Sequence, residues 1–488
     1  MQLWAAIAVV ASARAAQPNI LWIMADDLGW GEPGTARGVA SPHGRIATPH
    51  IDRLFGEEGL VFTHAYAGYT VCAPSRTAFF TGRHSGQFRK HGLDGQNLPP
   101  GGGAPATLAE MLRGAGYRTA AFGKTAPLVA PAAQGFETYL GQLDQGVCHN
   151  MYPATLDADN GTDNVALPLN AASNKSRALC MAAPERYNYT IDVWQSTAVE
   201  WLERAAAARA RDDRPFFAYV SFTIPHAGGW GDAPDTPEQG NPVPTDLQYA
   251  NESAWPDVEK DHAAVVTYLD RYVGALAATL RRAGVENDTY LFFASDNGAH
   301  NEGGHRVHFF DSTGGLRGFK RSLYEGGARS PSMVVGPRVP RASRSALPWA
   351  FWDVLPTLAE LANASDQVGA DDVDGASFAA ELTAPGSLDG ANRTLYFTWG
   401  DGPTHTKGYT ARRGDYKGVV TNCSHFYNNQ SAYYQKPSPD DAWALYDLAH
   451  DPSEERDIAA EQPDIVAALR AWVLDEDLSC QCYQCGYG

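Results

Sequence analysis

Four short apolar segments constrain the fold of this chain most strongly, because each ends abruptly in polar residues. They are 19–24, 117–122, 216–223 and 289–295. Such continuous apolar runs are typical of strands buried on both faces of a sheet. The intervening segments 106–116, 193–209 and 261–284 carry apolar residues at helical spacing. This alternation predicts an α/β fold with a large, mostly parallel sheet that is flanked by helices.

Polar side chains follow each predicted strand. They are Asp26 and Asp27, Lys124, His226, and Asp296 and Asn297. Sites in open α/β sheets form at the carboxyl ends of strands, so we expect these residues to lie close together. The carboxylate pair and the Asp-Asn pair offer only oxygen ligands, which suit Ca²⁺ or Mg²⁺ better than zinc. A single Asp is more often a turn residue or a helix cap, but four oxygen donors at two strand ends favour a cation site.

The segment 71–83 allows two interpretations. It places Cys72 beside Pro74, Ser75 and Arg76, followed by an apolar run. Proline suits the first turn of a helix, so Cys72 could be a structural cysteine at a helix entry. Alternatively, helix amides and Arg76 converge there on an anion. The local chemistry leaves both interpretations open.

Composition limits the class of partner. The chain has 488 residues, 44% of them hydrophobic, which is enough for two domains and a substantial core. Its formal net charge of −18 argues against a general nucleic-acid binder or a protein of anionic membrane surfaces. An anionic substrate would therefore need a local positive site.

The N-terminus and the asparagines indicate the secretory pathway. Residues 1–16 form a short apolar run that closes with Ala-Arg-Ala, typical of a signal peptide, and no later stretch is long and apolar enough to span a bilayer. Nine asparagines lie in Asn-x-Ser/Thr: Asn160, Asn174, Asn188, Asn251, Asn287, Asn363, Asn392, Asn422 and Asn429. These features predict a glycoprotein that is extracellular or lysosomal.

The seven cysteines suit that compartment. Apart from Cys72 they are Cys148, Cys180, Cys423, Cys480, Cys482 and Cys485. An even remainder permits three disulfides, whose connectivity the sequence does not reveal. The unpaired cysteine is then Cys72.

The C-terminal part has a different pattern. A polar stretch at 364–391 is typical of a linker or loop, and strand-like segments follow at 395–399 and 416–420. A last helix is predicted near 465–474. We therefore expect a signal peptide at 1–16, a catalytic domain at 17–363 and a smaller α+β domain at 364–488.

Together these motifs resemble the type I sulfatases, in particular the arylsulfatase A-like group. The resemblance covers nearly the whole chain after residue 16. Its ordered motifs lie at 25–31, 72–83, 123–124, 135–136, 225–226, 295–298, 316–320 and 324–327. The family implies an alkaline-phosphatase-like α/β fold and a sulfuric ester hydrolase.

The resemblance also implies the cofactors. Cys72 would be oxidised to formylglycine by a formylglycine-generating enzyme, directed by Cys-Ala-Pro-Ser-Arg at 72–76. One hydroxyl of the aldehyde hydrate would attack sulfur, and the second would expel sulfate. The implied Ca²⁺ ligands are Asp26, Asp27, residue 72, Asp296 and Asn297.

The remaining roles follow from the same resemblance. Arg76 would hold the hydrate together with the ion. Lys124 and Lys320 would bind and neutralise the sulfate oxygens, and His226 would contact the substrate and protonate the leaving oxygen.

One position departs from the family. A histidine is usual two residues after the lysine that matches Lys124, but this chain has Ala126, which cannot transfer a proton. Either His149 or His91 takes over, or turnover is impaired. His149 lies in the segment 148–153, which looks like a substrate-side loop of some members, so we also predict that it contacts substrate.

The leading hypothesis is an enzyme that releases inorganic sulfate from a sulfated carbohydrate or an aryl sulfate. A second hypothesis is a phosphoester or phosphonate hydrolase on the same scaffold. A third is a catalytically impaired binding glycoprotein, to which Ala126 gives some weight.

Overall fold

A computed structural model describes most of the chain. The described residues are 17–37, 46–93, 95–101, 106–159, 163–167, 170, 186–228, 240–369, 371–399, 408–421, 425–426 and 434–481. Several predicted features lie outside them, namely the signal peptide at 1–16, the sequons at Asn160, Asn174, Asn422 and Asn429, and Cys180, Cys423, Cys482 and Cys485.

The strands up to residue 350 are β1 (Asn19–Asp26), β2 (Leu60–Phe62), β3 (Ala65–Tyr66), β4 (Arg118–Lys124), β5 (Thr138–Gln142), β6 (Thr155–Ala158), β7 (Asp163–Ala166), β8 (Phe216–Pro225), β9 (Thr289–Ser295), β10 (Ser332–Val335), β11 (Ser343–Ser345) and β12 (Trp349–Ala350). The later strands are β13 (Thr394–Trp399), β14 (Gly408–Arg413), β15 (Tyr416–Val420), β16 (His425–Phe426), β17 (Tyr434–Lys436), β18 (Ala444–Asp447) and β19 (Cys480–Gln481).

The α-helices are α1 (Gly34–Arg37), α2 (Pro49–Ile51), α3 (Cys72–Thr81), α4 (Leu108–Gly114), α5 (Thr190–Asp212), α6 (Asp257–Arg282), α7 (Glu325–Ala328), α8 (Val354–Leu361), α9 (Ala379–Thr383) and α10 (Pro463–Asp475). Shorter turns of 3₁₀ or π type are Asp52–Glu57, Ser85–His91, Val147–His149, Leu247–Asn251, Glu286–Asp288, Phe351–Asp353 and Ser365–Gln367.

The described residues form a ten-stranded sheet in the order β11-β2-β10-β9-β1-β8-β4-β5-β6-β7. Its five central strands, from β9 to β5, are parallel. Antiparallel pairing occurs towards both edges, where β10, β6 and β7 join. The four predicted strands are β1, β4, β8 and β9, which are neighbours in the sheet. The predicted large mixed α/β sheet is confirmed.

Alternate residues of β1 enter two different cores, as the two-residue period of a strand requires. Ile20 and Trp22 pack in a cluster with Phe79 of α3 and Leu358 of α8. On the other face, the odd-numbered residues of β1 pack in a cluster with Trp194 of α5 and with α6. Helices therefore cover both faces, and the carboxyl ends of the central strands meet at one edge.

The C-terminal part forms a smaller antiparallel sheet in the order β13-β14-β15-β18, against which α10 packs. The strands and the last helix lie where the sequence predicted them. The stretch 364–391 differs from the expected linker or loop, because it contains α9. Phe378 and Leu382 are buried in the main core, and this burial stabilises the helix.

The cysteines also differ from the expected three disulfides. Cys148 lies in the 3₁₀ turn Val147–His149 and is a buried free thiol. Its Sγ donates to the Gln145 carbonyl oxygen at 3.0 Å, because the turn directs the side chain inward. Cys480 is disulfide-bonded.

A buried ionic network joins the C-terminal sheet to helix α7 and to strand β3. Glu325 accepts hydrogen bonds from Lys417 Nζ at 2.9 Å and from Tyr66 Oη at 2.8 Å, and it pairs with Arg329 at 2.6 Å. Burial opposes the charge of Glu325, but Lys417 and Arg329 hold its pKa well below the ordinary value. Glu325 therefore stays ionised, and Lys417 of β15 is anchored to α7.

Replacing Glu325 with glutamine is expected to lower the free energy of unfolding by about 3–5 kcal/mol, because the buried Arg329 loses the carboxylate it pairs with and the buried Lys417 keeps only Glu454. Urea unfolding at neutral pH measures this loss. The matched control is Glu461→Gln, which removes an exposed carboxylate paired with Arg456 and should cost at most about 1 kcal/mol. Equal costs for the two variants would contradict the structural role of Glu325.

Candidate active site

Two buried carboxylates follow one another at the end of β1. Asp26 Oδ2 accepts a hydrogen bond from Lys124 Nζ at 2.7 Å, and Asp27 Oδ2 accepts one from Lys320 Nζ at 2.8 Å. The Asp27 backbone has a φ of 68°, in the left-handed region that L-residues seldom adopt. Its N–H donates to Asp296 Oδ1 at 3.1 Å, which holds that conformation. The adjacent carboxylates thus accept hydrogen bonds from different lysines.

The end of β9 contributes Asp296 and Asn297. Asp296 Oδ2 accepts a hydrogen bond from Arg76 Nε at 2.8 Å and forms an ion pair with Arg76 Nη2 at 2.7 Å. Burial, and after it the nearby Asp26 carboxylate, raises the pKa of Asp296 to about 7. Asn297 Nδ2 donates to Asp27 Oδ1 at 2.7 Å. The ends of β1 and β9 therefore form one connected cluster.

This cluster fits a hard divalent cation. Asp26 Oδ1 and Asn297 Oδ1 are buried and have no hydrogen-bond partner among the described residues. Unpartnered buried oxygens of carboxylate and amide groups are the donors that Ca²⁺ and Mg²⁺ prefer. One atom each of Asp26, Asp27, Cys72 and His226 also lies within 4.8 Å of the others. The residues present can thus hold the predicted ion.

Cys72 is the first residue of α3 and is buried beside these carboxylates. Burial, and after it the Asp26 charge, raises the pKa of the Cys72 thiol far above its ordinary value. The unmodified side chain is therefore a neutral thiol at physiological pH. Because the thiolate is the nucleophilic form of cysteine, Cys72 as encoded is a poor nucleophile.

Arg76 lies one turn further along α3 and is fully buried. Its Nη1 donates to the Lys124 carbonyl oxygen at 2.8 Å and to Ser221 Oγ at 2.5 Å. Together with the bonds to Asp296, these contacts tie α3 to the ends of β4, β8 and β9. Arg76 thus positions residue 72 at the edge of the sheet.

His226 follows the cis Ile224–Pro225 bond at the end of β8. Its Nδ1 lies 2.8 Å from the Ala227 carbonyl oxygen and donates to it, so Nε2 is free to accept from Lys320 Nζ at 2.9 Å. Burial, and then the Lys320 charge, holds the pKa of His226 well below its usual range. His226 is therefore neutral in the free site.

His149 is stacked on His226, with ring centroids 3.7 Å apart and an angle of 6° between the planes. Its Nε2 lies 3.0 Å from Lys124 Nζ and 3.7 Å from Asp26 Oδ2. His91, the other suggested replacement for the missing histidine, lies at the end of the turn Ser85–His91. Its charged neighbours are Arg83, Asp374 and Lys90, and it does not line the cavity. The structure thus brings His149, not His91, to the site.

A cavity of about 270 Å³ opens above these groups. Its walls include the predicted residues Cys72, His149, His226 and Lys320, and other polar or aromatic residues that the sequence did not single out: Gln96, Gln145, Glu302, Arg321 and Trp399. Glu302 accepts a hydrogen bond from Lys320 Nζ at 3.0 Å and also pairs with Arg321. The available signal was sequence proximity, since Glu302 follows the Asp-Asn pair closely and Arg321 follows Lys320.

Buried lysines and an arginine around a buried cysteine define a site for an anionic ester. Comparison with known proteins agrees: the family model described as Sulfatase matches residues 18–364. The chain therefore belongs to the sulfatase family and is an enzyme that hydrolyses sulfate esters.

Its relatives include human arylsulfatase A, which is 29% identical over 94% of this chain and 87% of that protein. The N-acetylgalactosamine-6-O-sulfatase of Bacteroides thetaiotaomicron is 25% identical over 93% of this chain and 92% of that protein. The fold is similar to the crystal structure of Ps i-CgsB in complex with k-i-k-neocarrahexaose, with a TM-score of 0.70 and 24% identity over 96% of this chain and 94% of that one.

Proposed function

We propose that this protein is a formylglycine-dependent sulfatase that uses a bound Ca²⁺ ion to release sulfate from a sulfated carbohydrate or an aryl sulfate. One observation carries the proposal: Cys72, which lines the cavity, has its Sγ within 4.8 Å of ligand atoms of Asp26, Asp27 and His226. The neutral, buried state of the encoded thiol supports a modified residue 72. The motif at 72–76 is the proposed signal for a formylglycine-generating enzyme.

The ion would be held by Asp26, Asp27, Asp296 and Asn297 together with residue 72. When bound, it supplies positive charge that draws electron density from an oxygen on residue 72. Asp26 and Asn297 each present an oxygen that lacks a hydrogen-bond partner among the described residues, which supports this ligand set.

The sulfate group would meet two buried ammonium groups. Burial opposes their charge, but Asp26 raises the pKa of Lys124 and Asp27 raises that of Lys320 above the ordinary lysine value. Both lysines therefore stay charged and would bind and neutralise sulfate oxygens as negative charge builds up. This is the local positive site that a chain with a net charge of −18 needs for an anionic substrate.

The two stacked histidines would move protons. We propose that His226 Nε2, which is unprotonated in the free site, takes up a proton once the anionic ester is bound and passes it to the leaving oxygen, since that atom lies beside Lys320 Nζ on the cavity wall. We assign His149 the second transfer, at residue 72, where Ala126 offers no titratable group. The support for this role is the 3.0 Å contact between His149 Nε2 and Lys124 Nζ.

His149→Ala is expected to lower kcat by about 10²–10⁴-fold, because a positioned acid–base group is lost. Steady-state kinetics across a pH series would show the loss together with a changed pH profile. The matched control is His91→Ala, which should retain activity within a few-fold. If the two variants have equal activity, His149 has no role in proton transfer.

The cavity walls suit a sugar or aryl group beyond the sulfate. Trp399 offers an aromatic face, and Gln96 and Gln145 add polar side chains. The relatives support both substrate types, since arylsulfatase A and N-acetylgalactosamine-6-O-sulfatase are among them.

We also propose a secreted or lysosomal glycoprotein. Asn251, Asn287, Asn363 and Asn392 are exposed, as glycan acceptors must be, and Asn188 is half-buried. Within the described residues, no helix has the length and apolar character needed to cross a membrane.

Mass spectrometry of the peptide that carries residue 72, combined with assays on paired sulfate and phosphate esters, tests the proposal. We expect an aldehyde at residue 72 and faster release of sulfate than of phosphate. Active protein with an unmodified or disulfide-bonded Cys72 would refute the mechanism. Faster release of phosphate would instead favour the phosphoester hydrolase.

A further inference from the structure

A second cluster of ionisable side chains lies outside the catalytic groups. Glu32 follows β1, His262 lies in the first half of α6, and His305 follows β9. All three are buried, with at most 5% of each residue exposed. One carboxylate oxygen and one ring nitrogen from each histidine lie within 4.8 Å of one another. Three segments that are distant in sequence thus bring an O,N,N donor set to one point.

The ring nitrogens of His262 and His305 form only some of the hydrogen bonds that they could form. Their rings stack with centroids 3.6 Å apart and an angle of 7° between the planes. His262 Nε2 donates to Glu32 Oε1 at 2.5 Å. His262 Nδ1 and His305 Nε2 are buried and have no hydrogen-bond partner among the described residues. Most buried polar atoms in proteins are paired, so the unpartnered His305 Nε2 beside the Glu32–His262 pair indicates a missing partner.

The Glu259 carboxylate orients the His305 ring through its second nitrogen, Nδ1. Its Nδ1 donates to Glu259 Oε2 at 2.7 Å, and Glu259 Oε1 accepts from the Arg306 N–H at 3.0 Å. Because Nδ1 carries the proton, Nε2 presents a lone pair. A histidine that donates one N–H to a carboxylate while the other nitrogen binds metal is a recurrent arrangement in metal sites.

We propose that Glu32, His262 and His305 bind a divalent transition-metal ion of the zinc class, at a site separate from the calcium site. Two imidazole nitrogens and one carboxylate oxygen form a donor set that zinc prefers and calcium does not. The ion would take the place of the proton between Glu32 Oε1 and His262 Nε2, and that proton moves to His262 Nδ1, so the imidazole stays neutral. The proposal is independent of the reaction assigned to the catalytic site.

The site has a structural consequence for the catalytic loop. Glu32 Oε2 accepts a hydrogen bond from the Gly29 N–H at 2.7 Å, so an ion on Glu32 anchors the turn that follows Asp26 and Asp27. On the other side, His305 lies three residues after Glu302, which contacts Lys320. The ion therefore links and stabilises two loops that carry residues of the proposed catalytic site.

The test is metal uptake by the full-length protein kept in excess Ca²⁺ after treatment with a chelator selective for transition metals. Zn²⁺ uptake is quantified by elemental analysis, and Co²⁺ serves as a spectroscopic probe. We expect one equivalent of either metal, with tetrahedral Co²⁺ bands in the visible region and no thiolate charge-transfer band. His262→Gln and His305→Gln should abolish uptake, whereas the control His308→Gln, at an exposed position, should retain it.

Failure of the wild type to take up Zn²⁺ or Co²⁺ overturns the proposal, as does undiminished uptake by the two histidine variants. If those variants do not fold, Glu259→Gln tests the proposal instead. This change keeps both histidines and removes only the carboxylate that accepts from His305 Nδ1. That variant should bind Zn²⁺ about 10–100-fold more weakly. Unchanged affinity in it would also overturn the proposal. Loss of sulfatase activity is not a readout here, so this result and the catalytic mechanism can fail separately.

Discussion

Cys72→Ser, expressed in a host that lacks a serine-oxidising enzyme, is expected to lose sulfate release by about 10⁴-fold or more. The serine hydroxyl cannot become the aldehyde, and removal of a nucleophile leaves only binding and charge stabilisation. Because Cys72 and serine differ by one atom, the carboxylates and lysines around the position should stay in place. Sulfate release is measured with an excess of substrate at saturating Ca²⁺.

Cys148→Ser is the matched control for Cys72→Ser. Cys148 is also a buried free thiol, but its Sγ faces the Gln145 carbonyl oxygen, and a hydroxyl can donate to the same oxygen. Activity within a few-fold of the wild type is expected. Retained activity in Cys72→Ser would exclude residue 72 as the nucleophile, whatever the control shows.

Lys320→Met is expected to reduce kcat/KM by about 10²–10³-fold, because the proposed donor to the sulfate oxygens is lost. Lys320 Nζ also contacts Asp27, His226 and Glu302 within 3.0 Å, so its removal takes positive charge from the centre of the site. Methionine keeps most of the volume of the side chain. Steady-state kinetics on an aryl sulfate, with circular dichroism to verify folding, measures the effect.

Lys90→Met is the control for Lys320→Met, since Lys90 is exposed and donates to the Glu476 carbonyl oxygen away from the cavity. It should leave kcat/KM unchanged within a factor of about two. A loss at Lys320 below about tenfold would contradict a direct contact between its ammonium group and the reacting sulfate.

The central sheet could be predicted from the sequence because its strands are buried on both faces. Continuous apolar runs of the kind seen in β1 and β9 are typical of buried parallel strands. The polar residues after each run then necessarily lie along one edge, which explains why the structure brings Asp26, Lys124, His226 and Asp296 together. The burial of α3 could not be anticipated in the same way, since the segment 71–83 left two interpretations open and neither indicated how deeply the helix is buried.

The stacking of His149 on His226 had no sequence signature. It depends on the turn Val147–His149 and on the path of the chain after β5, and loops of this kind follow tertiary packing instead of periodicity. The free thiol of Cys148 has the same origin, because counting cysteines does not show which way a turn directs a side chain. The alanine at 126 was visible in the sequence, but only the fold could show which histidine lies nearby.

The contact between His149 and His226 limits how many protons the two imidazole rings can carry. Two imidazole rings 3.7 Å apart cannot both become cations without strong mutual repulsion, and burial, followed by the His226 charge, lowers the pKa of His149 well below its usual range. The pair can therefore carry at most one added proton at a time. Under the proposed mechanism, a proton that leaves with the alcohol product is replaced from water before the next ester is cleaved. Catalysis would then depend on solvent access in every cycle, through the same opening that admits the substrate.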